Sequence, residues 1–349
     1  MRKVKEMIKM LVLSLTGKCN FACKYCYADR HPQDTMSMET AVGAIELAAQ
    51  ADRAFILQFS GGEPLLAAGL LQDIVRHVRR RKLPAVMQLQ TNASLLTQDI
   101  VRYLREAGVG IGISLDGRPD INDLSRCYTD GAGASQDILL GAKCLIASGV
   151  DVGVTCVVSK ANVGHLAGIV EMAYFLGNVR RIGFDLLRAQ GRGALLEPPS
   201  ASEVEQGVEA ALMMTERLSR STGRTIKISQ LERVETLAGG KIGGFGHCHA
   251  LNGEAAFVDA RGYIYPCSSL VGDDVFLLGQ VEAGIDPAKQ KQVTCLIQDS
   301  MAFCLRCPDF SLCGGGCFAR WYGSGVGNGA YPAECALKKA AIRWHRQVN

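Results

Sequence analysis

The 349-residue chain carries little net charge of either sign: 38 Lys and Arg stand against 34 Asp and Glu, a formal +4. So small and scattered an excess gives no electrostatic footprint for nucleic acid. The densest basic run, Arg79-Arg80-Arg81-Lys82, falls at the end of an expected helix, where it complements the helix dipole. Long hydrophobic runs are missing, and no stretch approaches the roughly 20 apolar residues that a bilayer span needs. The basic start over 1–9 leads into an apolar run of only 10–15, too short for a secretory h-region. Internal repeats and low-complexity segments are absent as well. Apolar content of 48% and charged content of 21% describe a globular chain, large enough for one big or two modest domains.

Cysteine, by contrast, is abundant: 14 residues, ten of them in two spaced groups. The first is Cys19-x3-Cys23-x2-Cys26. The second runs Cys248, Cys267, Cys304-x2-Cys307-x5-Cys313-x3-Cys317, then Cys335. A chain of this size needs no disulfide scaffold, so the density points to metal or cluster ligation in a reducing compartment, and a cytoplasmic location is expected. Three thiolates cannot close a four-coordinate structural zinc site unaided, unless His31 completes a zinc knuckle. They can hold three irons of a cubane and leave the fourth open to a ligand that is not protein. The seven at the back are too many for one four-iron cluster and one short of closing two. Of the remaining four, Cys144 and Cys156 read as small core residues and Cys127 lies on a loop after Arg126. Cys295 falls in a poorly patterned segment.

The first 190 residues alternate strand-like and helix-like segments. Strands are expected over 10–14, 55–59, 85–90, 110–115, 152–158 and 181–186, with helices over 38–51 (Ser37 as N-cap), 70–82, 97–107, 135–148 and 165–176. Alternation of this kind implies βα units, a parallel sheet and right-handed crossovers. Six strands predict a partial rather than a full eight-fold barrel, an α/β fold over 1–190. Residues 191–200 read as a linker, 201–221 as an amphipathic helix, and 225–238 as ambiguous, so 191–240 forms a linker and helix. From 241 to 349 the character changes to glycine, cysteine and short segments, with a hairpin over 255–259 and 263–265. Such a region depends on metal to fold.

The C-x3-C-x2-C spacing with Tyr25 before the last cysteine resembles the signature of the radical S-adenosylmethionine (SAM) superfamily. Further motifs agree, each at a strand end. Ser60-Gly61-Gly62-Glu63-Pro64 looks like the family's GGEP loop, where bare glycine backbone approaches a ligand and Glu63 can accept from an ammonium. Asn92 ends the third strand within Gln90-Thr91-Asn92, although Ala93 follows where related sequences place glycine. Ser114 and Asp116, in Ser114-Leu115-Asp116-Gly117, are suited to ribose hydroxyls. Arg126 stands where similar enzymes carry a basic residue near the carboxylate or substrate, and Leu186 or Leu187 could pack on the adenine. The resemblance implies a [4Fe-4S] cluster on Cys19, Cys23 and Cys26, S-adenosyl-L-methionine as cofactor, and an external flavodoxin- or ferredoxin-like electron donor.

The back group matches the SPASM extension of that superfamily at all seven cysteines, with Gly262 five residues before Cys267. Relatives of this type bind two auxiliary [4Fe-4S] clusters. By resemblance, Cys304, Cys307, Cys313 and Cys335 close one, and Cys248, Cys267 and Cys317 hold the other. Sulfatase-maturing relatives supply an eighth cysteine where this chain has Glu254. The fourth position would fall to Glu254, His247, His249, Cys295 or a substrate thiolate.

The implied activity is that of a radical SAM oxidoreductase. It would oxidatively modify a ribosomally synthesised peptide, by thioether or carbon–carbon crosslinking. Formylglycine formation in a sulfatase and action on a small molecule or tetrapyrrole are the alternatives, and a non-enzymatic electron carrier is the reading from another class. Against formylglycine formation, Ser268 stands where those relatives carry an aspartate base, with only Asp273 or Asp274 as substitutes. Only 18 residues precede Cys19, so a separate recognition protein is expected to deliver the peptide, or the barrel mouth to bind it directly.

Overall fold

A computed structural model describes residues 7–51, 53–240, 244–246, 248–327 and 329–348. Six strands, β1 (Met10–Ser14), β2 (Phe55–Ser60), β3 (Ala85–Thr91), β4 (Gly110–Ser114), β5 (Val152–Val158) and β6 (Val179–Leu186), pair in parallel in chain order. Helices Met38–Ala49, Ala68–Arg80, Gln98–Glu106, Ser135–Ala147 and Leu166–Leu176 return the chain between them. The result is the expected partial (β/α)6 barrel. Local chemistry starts several helices: Ser37 accepts from Thr40 N, Thr97 from Ile100 N, and Ser200 forms a capping box with Glu203.

Strand alternation divides the barrel into two faces. Phe55, Leu57 and Phe59 of β2, Met87 and Leu89 of β3, Ile111 and Ile113 of β4, and Ile182, Phe184 and Leu186 of β6 are buried in the main core. The intervening residues are polar or small: Gln58, Ser60, Gln90, Ser114, Thr155 and Asp185 line the barrel's cavity. Amides, hydroxyls and the carboxylates of Asp29 and Asp185, set among Met10, Val12 and Val157, leave room for a polar ligand, unlike a barrel packed throughout with branched apolar side chains.

The cysteine-rich region does not stand apart from this sheet. Strand β7 (Lys227–Ile228) extends one edge beside β6. At the other edge β8 (Ala255–Val258) pairs in parallel with β1, Met10 opposite Ala255. Strands β9 (Tyr263–Tyr265), β10 (Gly279–Gln280) and β11 (Gly284–Ile285) follow antiparallel, completing an eleven-stranded sheet. All four residues of β8 are buried, as befits a strand covered on both faces.

The structure adds three particulars that the sequence left open or did not show. The ambiguous 225–238 segment is β7 followed by helix Ser229–Ala238. The back region holds two sizeable helices that its composition hid, Pro287–Ser300 and Pro332–Val348. The first begins at an Asp286 N-cap with Pro287 behind it, and the second buries mostly alanine (Ala333, Ala336, Ala340, Ala341), a weak hydrophobic signal. It packs on Ala201–Thr222 and Ser229–Ala238. The 191–200 segment is not a free connector: Gly191–Leu195 is a 3-10 turn laid across the first cysteine loop. Among the described residues no helix is long and apolar enough to cross a membrane.

Candidate active site

Cys19, Cys23 and Cys26 occupy the loop after β1, at the carboxyl end of the parallel strands. Burial raises all three thiols, Cys23 to about 12, and Cys23 also feels the negative charge of both partners. Protonated in the free chain, these groups become thiolates when a metal replaces the proton. His31 does not join them: its Nε2 lies 2.9 Å from the Ser268 carbonyl and its ring meets Phe257 edge-on.

The glycine loop presses against this cysteine loop. Gly62 N donates to Thr16 O (2.8 Å) and Glu63 N to Lys18 O (2.9 Å). A Cβ on Gly61 would stand 2.2 Å from Thr16 O, and one on Gly62 2.3 Å from Lys18 O, so both positions require glycine. Gly61 and Gly62 face the cavity, but Glu63 does not. It is fully buried and accepts from Leu65 N (3.0 Å), Thr91 Oγ1 (2.7 Å) and Asn92 N (2.8 Å). Burial pushes its carboxyl up to about 6. Its oxygens brace the glycine loop and the end of β3.

Asn92 lines the cavity and donates through Nδ2 to Asn20 Oδ1 (2.9 Å). The loop keeps a left-handed residue after it even without glycine, since Ala93 has φ of 69°. That conformation costs an L-residue about 1 kcal/mol. Ser114 also lines the cavity, its Oγ accepting from Gln90 Nε2 (3.0 Å).

Asp116 is likewise held by protein groups. Only 2% exposed, it pairs with Arg126 (Nε to Oδ2, 3.0 Å) and accepts from Val157 N (2.8 Å) and from the Tyr25 hydroxyl. With its lone pairs taken, it ties the cysteine loop to β5 instead of offering them to a ribose. Arg126 and Tyr25 both reach the cavity, the guanidinium 5.5 Å above the Tyr25 ring. Leu186 lies on the core face of β6, fully buried, with Leu187 also buried, and neither lines the cavity. Val157 and Asp185 line it instead.

Cys248, Cys267 and Cys317 form a second group within electrostatic reach of one another; burial is the main cause that pushes Cys248 to about 11. Cys304, Cys307, Cys313 and Cys335 form a third. Among the described residues, no three His, Cys, Asp or Glu side chains converge on a point for a single metal ion. Thiolates of a cubane bind separate irons and have no need to converge. Glu254 pairs with Lys9 (2.6 Å) and His249 Nδ1 (3.3 Å) and is not among the cavity-lining residues, whereas His249 is. His247 lies outside the described residues. Cys295 is exposed on helix Pro287–Ser300, Asp273 caps a turn and accepts from Tyr322, and neither it nor Asp274 lines the cavity. Cys127 is buried, its thiol directed at Ala22 O.

One cavity of about 630 Å³ joins the first two groups. Cys19, Cys23 and Cys26 border one end, and Cys248, Cys267 and Ser268 the other. Between them stand residues that the sequence did not single out. Arg188 lies 4.6 Å above the Tyr27 ring, and the Tyr27 hydroxyl is 3.0 Å from Ser268 Oγ. Arg188 pairs with Asp185 (2.6 Å), Asp185 with Arg320, and Arg320 with Glu334 (2.6 Å), which accepts from Cys317 N (3.1 Å) and faces Lys338 (3.7 Å). Burial alone would raise the Asp185 carboxyl, yet Arg188 and Arg320 hold it below the ordinary range. Three cations here share two carboxylates. The thiolates beside them add the negative charge that such a network accommodates, so these surroundings fit an anionic iron–sulfur centre.

Against this geometry the comparisons with known proteins are direct. The Radical SAM superfamily model matches residues 13–173. An uncharacterised protein of Methanocaldococcus jannaschii is 32% identical over 76% of this chain and 86% of its own. Fe-coproporphyrin III synthase of Methanosarcina barkeri is 30% identical over 61% of this chain, which spans 53% of that protein. A serine-type anaerobic sulfatase-maturating enzyme of Klebsiella pneumoniae is 27% identical over 90% and 83%. Among solved structures, native anSMEcpe with bound AdoMet and Cp18Cys peptide superposes with a TM-score of 0.80 at 19% identity, covering 97% of this chain and 99% of that one. The chain belongs to the radical SAM superfamily, whose members bind a [4Fe-4S] cluster and SAM, and it carries the fold of the SPASM-type maturases.

Proposed function

We propose that the protein oxidises a peptide side chain, forming a thioether or carbon–carbon crosslink, with one cluster at Cys19, Cys23 and Cys26 and two auxiliary clusters on the other seven cysteines. Bound at the first site, cluster and SAM together supply a 5′-deoxyadenosyl radical. The reading rests on one observation: Cys19, Cys23 and Cys26 of the first group and Cys248 and Cys267 of the second border a single cavity. A substrate there reaches both the hydrogen-abstracting end and an electron acceptor. Gly61 and Gly62 present backbone to SAM, Asn92 and Ser114 offer hydrogen bonds, and Arg126 offers positive charge near its carboxylate. Phe257, Pro266, Tyr27 and Ser268 wall the substrate end.

Formylglycine formation is less well supported, because Ser268 follows Cys267 where the sulfatase-maturing relatives carry an aspartate base; of the two carboxylates that line the cavity, Asp29 keeps an Oδ1 without a hydrogen-bond partner. Asp185 is held by two guanidiniums, and Ser268 is engaged by Tyr27. Glu254 is tied to Lys9 and His249, which supports a substrate thiolate at the fourth position of the second cluster, with the cavity-lining His249 as the competing protein ligand. Residues 1–190 serve as the SAM-binding unit, 191–240 as the connection and 241–349 as the auxiliary-cluster unit. The reading also calls for a reducing, cytoplasmic setting, a flavodoxin- or ferredoxin-like donor and a separate peptide-recognition protein. Anaerobic reconstitution with dithionite and SAM is expected to release 5′-deoxyadenosine. Coexpression with a candidate peptide is expected to lower its mass by two hydrogens. A formylglycine-type mass change, or loss of carboxylate from a tetrapyrrole, would replace the reading.

A further inference from the structure

The cavity wall holds a guanidinium that the reading above does not use. Arg188 follows β6, and its position is fixed from two sides, by Asp185 at 2.6 Å and by the Tyr27 ring at 4.6 Å. Tyr27 in turn meets Ser268, the neighbour of Cys267, and all five residues line the cavity. Asp185 divides its charge between Arg188 and Arg320, so Arg188 is only partly neutralised. Its Nε is buried without a hydrogen-bond partner. A partly compensated cation with an unused N–H, set in the wall beside two cysteines, is costly unless an anion stands there.

We propose that Arg188 sets the reduction potential of the iron–sulfur centre held by Cys248, Cys267 and Cys317, raising it above the value that centre would have without the guanidinium. This rests on the assignment of those cysteines as cluster ligands. The cause is electrostatic. Reduction adds one negative charge, and a fixed cation nearby stabilises the reduced state more than the oxidised one. Partial burial keeps solvent from screening the effect. The electrostatic influence of Arg188 on Cys267, and of Cys317 on Arg188, points the same way. Arg188 is thus a tuning residue, acting on the centre through its field and requiring no contact with substrate.

The test is a redox titration of the reconstituted full chain, followed by electron paramagnetic resonance without SAM or peptide. It is therefore independent of which substrate is oxidised. The centre concerned is assigned by its loss in Cys267→Ala. In Arg188→Gln its midpoint is expected to move to a more negative potential while the other two centres hold theirs. In Arg188→Lys, which keeps the charge, most of the wild-type value should return. Asp185→Asn removes the counter-charge and should move the same midpoint in the positive direction, which keeps the test decisive if the glutamine variant fails to load iron. An unchanged midpoint in Arg188→Gln, equal shifts in the Gln and Lys variants, or a negative or absent shift in Asp185→Asn would overturn the proposal.

Discussion

At the scale of single residues, the acids near the cavity divide by whether protein donors already occupy them. Asp116 and Arg126 are a pair shielded from water, with side chains 1% and 7% exposed. Removing one partner of such a pair leaves the other buried and charged, a loss of about 3–5 kcal/mol. Asp116→Ala is accordingly expected to lower unfolding stability by that amount in urea titrations, with Asp116→Asn costing less. Glu63 adds a pH dependence of calculable sign. Its folded carboxyl titrates at about 6 against an ordinary 4.5. Between those values the unfolded chain has released a proton that the folded chain keeps, so stability falls as pH rises through the window and levels off above it. The span is about 2 kcal/mol. Urea unfolding of the metal-free protein at pH 5 and pH 7 should show this slope, and Glu63→Gln should remove it. Both roles were illegible in the sequence. A motif marks Glu63 and Asp116 as important, but whether a carboxylate faces ligand or protein is decided by donors such as Asn92 N and Val157 N, which arrive from other strands.

Elements were easier to read where local periodicity carries them. The alternation of Phe55, Leu57 and Phe59 and the caps at Ser37 and Thr97 are local signals, and the structure follows them closely. Segments set by remote partners were not legible. The turn Gly191–Leu195 reads as a linker because its reason lies elsewhere in the chain: Arg192 N donates to Cys26 O and its Nε to Cys23 O, each at 2.9 Å. The same turn needs Gly191, with φ of 54°, because a Cβ there would stand 2.5 Å from Cys26 O and 2.3 Å from Asp29 Oδ1. Gly191→Ala is therefore expected to displace the cysteine loop. Its iron content after reconstitution should fall by about four atoms per chain, the content of one cluster. Arg192→Ala, which keeps the backbone bond, should show a weaker form of the same loss. Full iron loading in Gly191→Ala would show that the strap is dispensable.

For the molecule as a whole, the continuous sheet matters more than the boundary between barrel and cysteine-rich region. Strand β1 has β2 on one side and β8 on the other, in register from Met10 opposite Ala255 to Leu13 opposite Val258. A chain cut after residue 240 would expose β1 as an unpaired apolar edge, a template for association. Size-exclusion chromatography of that fragment is expected to show aggregates rather than a monomeric barrel. This pairing had no signature in either strand, since nothing in Ala255-Ala256-Phe257-Val258 says which neighbour it takes.

The same pairing orders events in time. Translation delivers β1 first, but its second neighbour appears only after some 240 further residues, so the strand that carries the first cysteine loop is flanked on one side alone while most of the chain emerges. Contacts so distant in sequence form slowly. The sheet beneath the loop of Cys19, Cys23 and Cys26 is therefore completed late, when β8 seats against β1.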